Sequence, residues 1–210
     1  VAVFGLGGVG SWAAEALARA GIGTLTLIDC DTVEITNLNR QILALESTLG
    51  MKKAEVMKAR IADINPGATV YARALFYGPE TVSDIDLAQF DYILDAIDTV
   101  TSKLELIVNA QALGVPIISS MGTGNKLHPE KLMIADLYQT RVCPLARVMR
   151  REAKKRGIPA LETVYSTETP VAMEGARGRT PGSMPFVPPA AGLILAALSL
   201  LALLFAPLEF

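Results

Sequence analysis

Cysteine, histidine and tryptophan are scarce in this sequence: 210 residues include two Cys, one His and one Trp. The two cysteines, Cys30 and Cys143, are too few for a disulfide framework or a four-cysteine zinc site, and no C-x-x-C pair occurs. We therefore expect no zinc, and we expect the protein to work in the reducing cytoplasm.

The sequence also lacks an excess of positive charge. Its net charge is −2 and its pI is about 5.5, which excludes a protein that coats nucleic acid through general basicity. Any RNA contact must come from a local patch. A hydrophobic content of 51% excludes a disordered chain and allows one large or two modest domains.

One long hydrophobic run is present, from Ala190 to Leu208, and Ser199 interrupts it. Its length is about that of a membrane span. Prolines precede it and lie near its end, and no Lys or Arg closely flanks it to set a topology. We expect a helix buried in the core or in a dimer interface; a transmembrane anchor is the alternative.

The first ten residues, Val-Ala-Val-Phe-Gly-Leu-Gly-Gly-Val-Gly, predict a buried strand, a glycine turn and the start of a helix. Gly5, Gly7 and Gly10 fit the G-x-G-x-x-G pattern, which allows a phosphate to approach backbone amides. Asp29 follows about twenty residues later, where such folds meet a ribose hydroxyl. The pattern predicts nucleotide binding; a merely tight strand–helix turn is the alternative. Because the sequence opens directly on this strand, we expect a start Met and an N-terminal segment to precede Val1.

Strands and helices alternate along the sequence as far as Ser120, after which the alternation breaks down. Strands are expected at 24–28, 70–75, 92–97, 115–119, 132–136 and 161–166, and helices at 11–20, 49–64, from 101, and at 145–156. We predict an α/β fold: a Rossmann-like, doubly wound, mainly parallel sheet with a smaller irregular C-terminal extension. Residues 1–125 would form the nucleotide-binding domain, and 126–210 the extension. The composition of Gly175–Gly182 predicts a mobile loop.

Charged and amide side chains follow the glycine turn in a pattern that a plain dinucleotide site does not need. Gly8 extends the turn to G-x-G-G-x-G, the next loop carries Asn37, Arg40 and Gln41, and Lys53 begins the following helix. The two cations, Arg40 and Lys53, together with amide side chains near an anion-binding turn suit a triphosphate. The alternative is that Arg40 and Lys53 are ordinary surface charges.

Two carboxylates complete the predicted site. Asp31 lies just after the second strand, and Asp98 follows the fourth strand, where it could hold the Mg²⁺ that bridges phosphate oxygens. A second role for Asp98 is to cap the following helix.

These motifs resemble the ubiquitin-activating-enzyme-like adenylating enzymes. The resemblance rests on G-L-G-G-V-G, D-C-D-T-V-E-I-T-N-L-N-R-Q, G-M-K-K and L-D-A-I-D, within about the first 125 residues. It implies adenylation of a carboxylate by ATP, with Asp29 on the ribose, Asn37, Arg40 and Lys53 on the phosphates, and Asp98 on Mg²⁺. Arg40, Lys53 and Asp98 are the expected catalytic residues. The full expected nucleotide site is Gly5, Gly7, Gly8, Gly10, Asp29, Asp31, Asn37, Arg40, Gln41, Lys53 and Asp98.

Within this family the sequence is most similar to the branch of tRNA threonylcarbamoyladenosine dehydratases. The motifs S-W-A-A-E-A-L-A-R-A-G-I-G, N-R-Q-I-L-A-L, K-A-E-V-M, D-A-I-D-T-V and Y-S-T-E carry this similarity. It implies tRNA as partner, a homodimer, and ATP-dependent conversion of threonylcarbamoyladenosine to its cyclic form with loss of water. Some relatives have a cysteine near the position of Ser183. Because this sequence reads Gly182-Ser183-Met184 there, we assign no thiol catalyst.

A basic helix is expected at Leu145 to Arg156. Arg147, Arg150, Arg151 and Lys154 lie at helical spacing and could contact tRNA phosphates. The alternative is that this basic face is a solvated surface that binds no partner.

Three other functions stay open. Adenylation of the C-terminus of a ubiquitin-like or sulfur-carrier protein is disfavoured by the missing C-x-x-C pairs. An NAD-dependent oxidoreductase is disfavoured by Arg40 and Lys53, which point to a triphosphate. A membrane-anchored nucleotide-binding protein would use the apolar run as its anchor.

Overall fold

A computed structural model describes residues 1–171 and 182–205, which fold around one seven-stranded sheet. The strands are β1 (Ala2–Phe4), β2 (Thr24–Ile28), β3 (Thr69–Arg73), β4 (Ile93–Asp95), β5 (Ile117–Ser120), β6 (Leu132–Asp136) and β7 (Glu162–Ser166). The helices are α1 (Gly10–Arg19), α2 (Lys53–Ile64), α3 (Val100–Ala112), α4 (Pro144–Lys155) and α5 (Val187–Phe205). Short 3-10 turns occupy several of the connections.

The strand order is β3-β2-β1-β4-β5-β7-β6. All neighbouring pairs are parallel except β6 and β7, which are antiparallel. The chain winds outward from β1 in one direction and then from β4 in the other, so the strand order reverses between β1 and β4. In such sheets a ligand binds at the carboxyl ends of the strands beside that reversal.

Helices cover both faces of the sheet because successive strand residues point to opposite sides. In β1, Val3 packs with α1, α2 and α5, whereas Ala2 and Phe4 pack with α3 on the other face. A third apolar cluster joins α3 to α4 and the end of β7. The predicted doubly wound α/β fold is confirmed. β6 and β7 extend the same sheet, and α5 covers one of its faces.

Some elements begin or end at other residues than expected. α2 begins at Lys53 rather than at Leu49, and β4 ends at Asp95. The last helix begins at Val187, so the two prolines lie in its first turn, where proline removes no intrahelical hydrogen bond. The loop expected at Gly175–Gly182 lies, apart from Gly182, outside the described residues, as do the last residues of the apolar run.

Helix α5 packs closely on α1. A Cβ on Gly192 would overlap the carbonyl oxygen of Val9, so only glycine permits this approach. Along the helix, Ala191, Leu195, Ala196 and Ser199 are buried, while Leu193, Leu201 and Leu204 are exposed. One face of α5 therefore belongs to the core. The helix is also long and apolar enough to cross a membrane by length and composition.

A buried carboxylate joins α1 to α2. Glu15 accepts hydrogen bonds from Arg19 at 2.7 Å and from Arg60 of α2 at 2.6 Å. Burial raises the pKa of Glu15, but the two guanidinium groups outweigh it and hold the pKa below its ordinary value. The Glu15–Arg60 ion pair fixes α2, whose first residue is Lys53, against α1, the helix that follows the glycine turn.

Candidate active site

The glycine turn between β1 and α1 leaves no room for side chains at two positions. Gly5 has a φ of +85°, and a Cβ there would lie 2.7 Å from the carbonyl oxygen of Ala96. A Cβ on Gly10 would overlap the carbonyl oxygen of Gly5. Around Gly7, by contrast, the space is open as far as the Gln41 amide at 4.0 Å. The backbone is thus compressed against β4 on one side and accessible on the other.

Helix α1 presents its amino-terminal end to this open space. Its N-cap residue, Val9, has no side chain that could accept a hydrogen bond from the first turn. The amides of a first helical turn have no intrahelical acceptor and carry a partial positive charge. A phosphate group beside Gly7 and Gly8 would satisfy both the hydrogen bonds and the charge.

Asp29 ties the end of β2 to the glycine turn. One carboxylate oxygen accepts the Leu6 amide at 2.6 Å, and the other accepts the Asp31 amide at 2.8 Å. A carboxylate has about four acceptor positions, so two are left for a ligand. Asp29 is therefore held in a fixed orientation with acceptor capacity for a ribose hydroxyl.

Lys53 and Asp31 form an ion pair at the start of α2. The Lys53 ammonium lies 2.9 Å from the Asp31 carboxylate, and the Lys53 amide donates to the Asp31 carbonyl oxygen at 3.1 Å. Lys53 is buried, whereas the Asp31 side chain is 62% exposed. Burial raises the pKa of Asp31, but the hydrogen bond and charge of Lys53 bring it below its ordinary value. The ammonium is thus oriented before any ligand binds.

Arg40 lies over the glycine turn. Its guanidinium donates to the Thr36 carbonyl oxygen at 2.8 Å and to the Asn39 side chain at 2.9 Å. Its alkyl chain lies 3.1 Å from where a Cβ on Gly8 would be. Within residues 1–171 and 182–205, Arg40 pairs with no carboxylate, so its charge is available to an anion.

Two buried amides lie in the same loop. Asn37 uses its side-chain oxygen to accept the Glu34 amide at 3.1 Å, which closes the turn that carries Arg40. The side-chain oxygen of Gln41 is buried and has no partner in the described part of the chain. A buried acceptor without a partner costs free energy, which a donor from a bound ligand or its water would recover.

Asp98 is exposed just beyond β4. Among the described residues, its side chain takes part in one hydrogen bond, which the Thr99 hydroxyl donates at 3.3 Å. The N-cap of α3 is Thr99, without a side-chain hydrogen bond, so Asp98 does not cap that helix as the sequence suggested. Its carboxylate oxygens are hard ligands of the kind Mg²⁺ prefers. Asp98 could therefore supply one oxygen ligand to a magnesium ion.

Sequence reasoning missed a buried ion pair directly behind Asp98. The ammonium of Lys103 lies 2.8 Å from the carboxylate of Asp95, and both side chains are fully buried. The signal was the first aspartate of D-A-I-D: a carboxylate at the end of a strand that is otherwise apolar needs a buried cation. Lys103 stands eight positions later, a spacing that only the geometry of the strand–helix turn explains.

The basic helix α4 uses several of its cations internally. Arg150 donates to the Thr140 carbonyl oxygen at 2.8 Å, and the cations of Arg151, Lys155 and Arg156 surround Glu152. These cations lower the pKa of Glu152 to about 2. Among the described residues, Arg147 and Lys154 have no carboxylate partner. Of the four predicted tRNA contacts, these two are the ones whose side chains make no hydrogen bond or ion pair within residues 1–171 and 182–205, whereas Arg151 is the one paired with a carboxylate.

Comparison with known proteins gives consistent results. The model of the ThiF family matches residues 1–176. The chain is 44% identical to the tRNA threonylcarbamoyladenosine dehydratase of Bacillus subtilis (strain 168), over 93% of this chain and 83% of that protein. It is 42% identical to the protein of the same name from Escherichia coli (strain K12), over 80% of this chain and 66% of that protein.

Solved structures agree with these sequence matches. The crystal structure of the E. coli tRNA N6-threonylcarbamoyladenosine dehydratase in complex with ATP superposes with a TM-score of 0.89. The alignment covers 97% of this chain and 84% of that chain at 37% identity. The similarity therefore extends over almost the whole described fold.

Two adjacent lysines allow a matched test of the site. We expect Lys53→Met to weaken ATP binding about tenfold or more, because it removes a buried, oriented cation from the phosphate position. Lys52→Met should change the affinity less than twofold, since Lys52 is exposed and donates to the Cys30 carbonyl oxygen. Titration calorimetry with ATP measures both. Equal losses in the two variants would contradict the assignment of Lys53.

Proposed function

Because this chain belongs to the ThiF family, we propose that it is an ATP-dependent enzyme that dehydrates threonylcarbamoyladenosine in tRNA to the cyclic form. The observation that carries the proposal is the group of ligand-ready side chains at the carboxyl edge of β1, β2 and β4. Arg40 packs over Gly8 of the open turn, Lys53 pairs with Asp31 just after β2, and Asp98 follows β4. The identity to dehydratases, 44% over most of both chains, supports the choice of substrate.

The orientation of ATP follows from the groups that could hold its parts. The ribose lies at Asp29, whose carboxylate is fixed by the Leu6 and Asp31 amides. The phosphates follow the first turn of α1 toward Arg40 and Lys53. This assignment places the positive end of the helix and two cations along a chain of negative charge.

Adenylation needs positioning and neutralisation of charge rather than a covalent catalyst. An oxygen of the substrate carboxylate attacks the α-phosphorus, the bond to the bridging oxygen breaks, and pyrophosphate leaves. Arg40 and Lys53 stabilise the negative charge that develops on the phosphoryl oxygens. Asp98 would hold Mg²⁺, which supplies further neutralisation of the phosphates when bound.

The product of this step is a mixed anhydride of the carboxylate and AMP. A nucleophilic atom within the same threonylcarbamoyl group then attacks the activated carbonyl carbon and loses its proton to solvent, while the bond to the AMP oxygen breaks and AMP departs with one oxygen of the original carboxylate. The two steps together remove one water from the nucleoside and convert ATP to AMP and pyrophosphate. No thiol is required by this sequence of steps.

Mass spectrometry tests the proposal directly. Full-length protein is incubated with Mg²⁺, ATP and tRNA that carries threonylcarbamoyladenosine, and the nucleosides are then analysed. We expect loss of one water from that nucleoside only when ATP is present. Arg40→Ala and Asp98→Ala should lower the rate about 10²-fold or more, as for other groups that stabilise transition-state charge.

Matched controls remove the same charges elsewhere. Lys58→Ala and Asp63→Ala are substitutions of exposed residues in α2, and each should retain nearly full activity. A protein that exchanges pyrophosphate into ATP yet leaves the nucleoside unchanged would contradict the tRNA substrate. A stable complex with a ubiquitin-like protein would then favour the alternative substrate.

We further propose that tRNA lies along α4. Arg147 is exposed one turn from the start of the helix, and Lys154 is exposed near its end. The helix begins beside Gly122, which follows β5 at the same edge of the sheet as Asp98. Phosphate contacts along this line would supply affinity while the pocket receives the modified base.

Salt dependence distinguishes phosphate contacts from a solvated surface. We expect the double substitution Arg147→Ala/Lys154→Ala to weaken tRNA binding and to make the slope of log K against log salt shallower by about two. The control Lys58→Ala/Arg73→Ala removes the same net charge from α2 and β3, where both residues are exposed. Equal slopes of log K against log salt in the two double variants would show that α4 carries no phosphate contact.

The exposed face of α5 supports a homodimer. Leu193, Leu201 and Leu204 recur at helical spacing and are 47%, 50% and 64% exposed. Burial of such a stripe against a second copy would remove apolar surface from water. We propose this arrangement for a cytoplasmic, zinc-free protein, in preference to a membrane anchor.

Sedimentation tests the dimer against the anchor. We expect wild-type protein to sediment as a dimer and Leu201→Gln/Leu204→Gln to shift it toward monomer. Leu113→Gln, at an equally exposed position after α3, is the control and should leave the dimer intact. Wild-type protein that is monomeric, or that floats with lipid vesicles, would contradict the arrangement.

A further inference from the structure

The segment between β4 and Asp98 is held by buried charge. Ile97, the residue before Asp98, donates its amide to the Asp95 carboxylate at 3.1 Å. Its carbonyl oxygen accepts the Lys103 ammonium at 2.9 Å. Asp95 and Lys103 also pair with each other at 2.8 Å. The amide and the carbonyl oxygen of Ile97 are therefore both hydrogen-bonded to the same ion pair.

The ion pair is itself fixed on the sheet. The Ser119 hydroxyl of β5 donates to the Asp95 carboxylate at 2.6 Å, and it too is fully buried. Lys103 lies in the first turns of α3 and its amide donates to the Thr99 carbonyl oxygen. The Asp95–Lys103 ion pair thus joins β5, α3 and the loop between β4 and α3.

This cluster also faces the glycine turn. Ala96 donates its amide to the Phe4 carbonyl oxygen at 2.8 Å, and its own carbonyl oxygen occupies the space that a Cβ on Gly5 would need. A shift of residues 96–98 would therefore move both the Asp98 carboxylate and one wall of the turn.

We propose that Asp95 and Lys103 are positioning residues that fix Asp98 for a divalent cation bound with the triphosphate. The inference rests on the proposed function, since it assumes that Asp98 holds Mg²⁺. Its physical basis is that a carboxylate on an exposed loop binds a metal well only when its backbone is fixed in advance. Ser119 contributes by holding the Asp95 carboxylate.

ATP titrations with and without Mg²⁺ test this role. In wild-type protein, the affinity for ATP in excess Mg²⁺ should exceed that in EDTA. We expect Lys103→Met and, more weakly, Ser119→Ala to reduce this gain, about tenfold for Lys103→Met, the size typical of residues that support metal ligands. The affinity in EDTA should change little, because Lys53 and the glycine turn remain.

Loss of one partner from a buried pair destabilises a protein, so a second variant is needed. Asp95→Asn/Lys103→Met removes both charges and should fold better than Lys103→Met. It should still show the reduced gain from Mg²⁺, since neither Ile97 bond to a charge remains. Lys126→Met is the control: Lys126 is also buried, at 1% exposure, but lies after β5 and should keep the full gain.

The outcomes separate this inference from the function on which it rests. If wild-type protein gains no affinity from Mg²⁺, the proposed magnesium role of Asp98 fails. If wild-type protein gains affinity and the stable double variant gains equally, the pair serves the fold alone and the positioning role is overturned. A reduced gain in the double variant with wild-type gain in Lys126→Met supports it.

Discussion

The site depends on one close contact, between the glycine turn and the end of β4. The Gly5 and Gly10 positions exclude any side chain because backbone oxygens occupy the space. The close contact on this side leaves the amino-terminal end of α1 facing the open side, where a bound anion could accept hydrogen bonds from its free amides. The same contact brings the loop of Asp98 beside the turn, so that an anion and its counterion would share one pocket. Function here follows from where backbone atoms can approach one another.

Helix α5 supports this contact by packing against the turn at Gly8 and Val9. Gly192 lets the helix reach the Val9 carbonyl oxygen, and Pro188 lies 3.0 Å from where a Cβ on Gly8 would be. The sheet alone would leave the turn uncovered on that side. A helix from the end of the chain is therefore part of the nucleotide site by packing, although none of its residues was predicted to bind a ligand. Its apolar composition reflects this packing on one face and leaves the leucine stripe to be explained by a partner.

The fold and the polar loop could be predicted because their signals are local. Glycine spacing, apolar runs and the N-x-x-R-Q pattern report the backbone conformation within a few residues. The Asp95–Lys103 pair and the Gly192 contact could not be predicted, since each joins segments whose distance depends on the packing of the whole sheet. The four cations predicted on α4 look alike in sequence. The structure separates them, because Arg150 is bound to Thr140 and Arg151 to Glu152. Helical spacing shows which residues share a face, and it does not show which side chains already make hydrogen bonds or ion pairs within the protein.

The charges of the site share one property: each is oriented by a neighbour before a ligand arrives. Asp31 holds Lys53, the Thr36 carbonyl oxygen holds Arg40, and backbone amides hold Asp29. Such preorganisation reduces the entropy that would otherwise be lost on binding. It would also have a cost, since a triphosphate would have to compete with Asp31 for Lys53. Asp31 is mostly exposed, so water could solvate its carboxylate if the ammonium turned to a phosphate. Lys103 has no such freedom because its partner Asp95 is fully buried, and this difference in exposure between the two carboxylates is why Lys53 is proposed to bind substrate and Lys103 to support the fold.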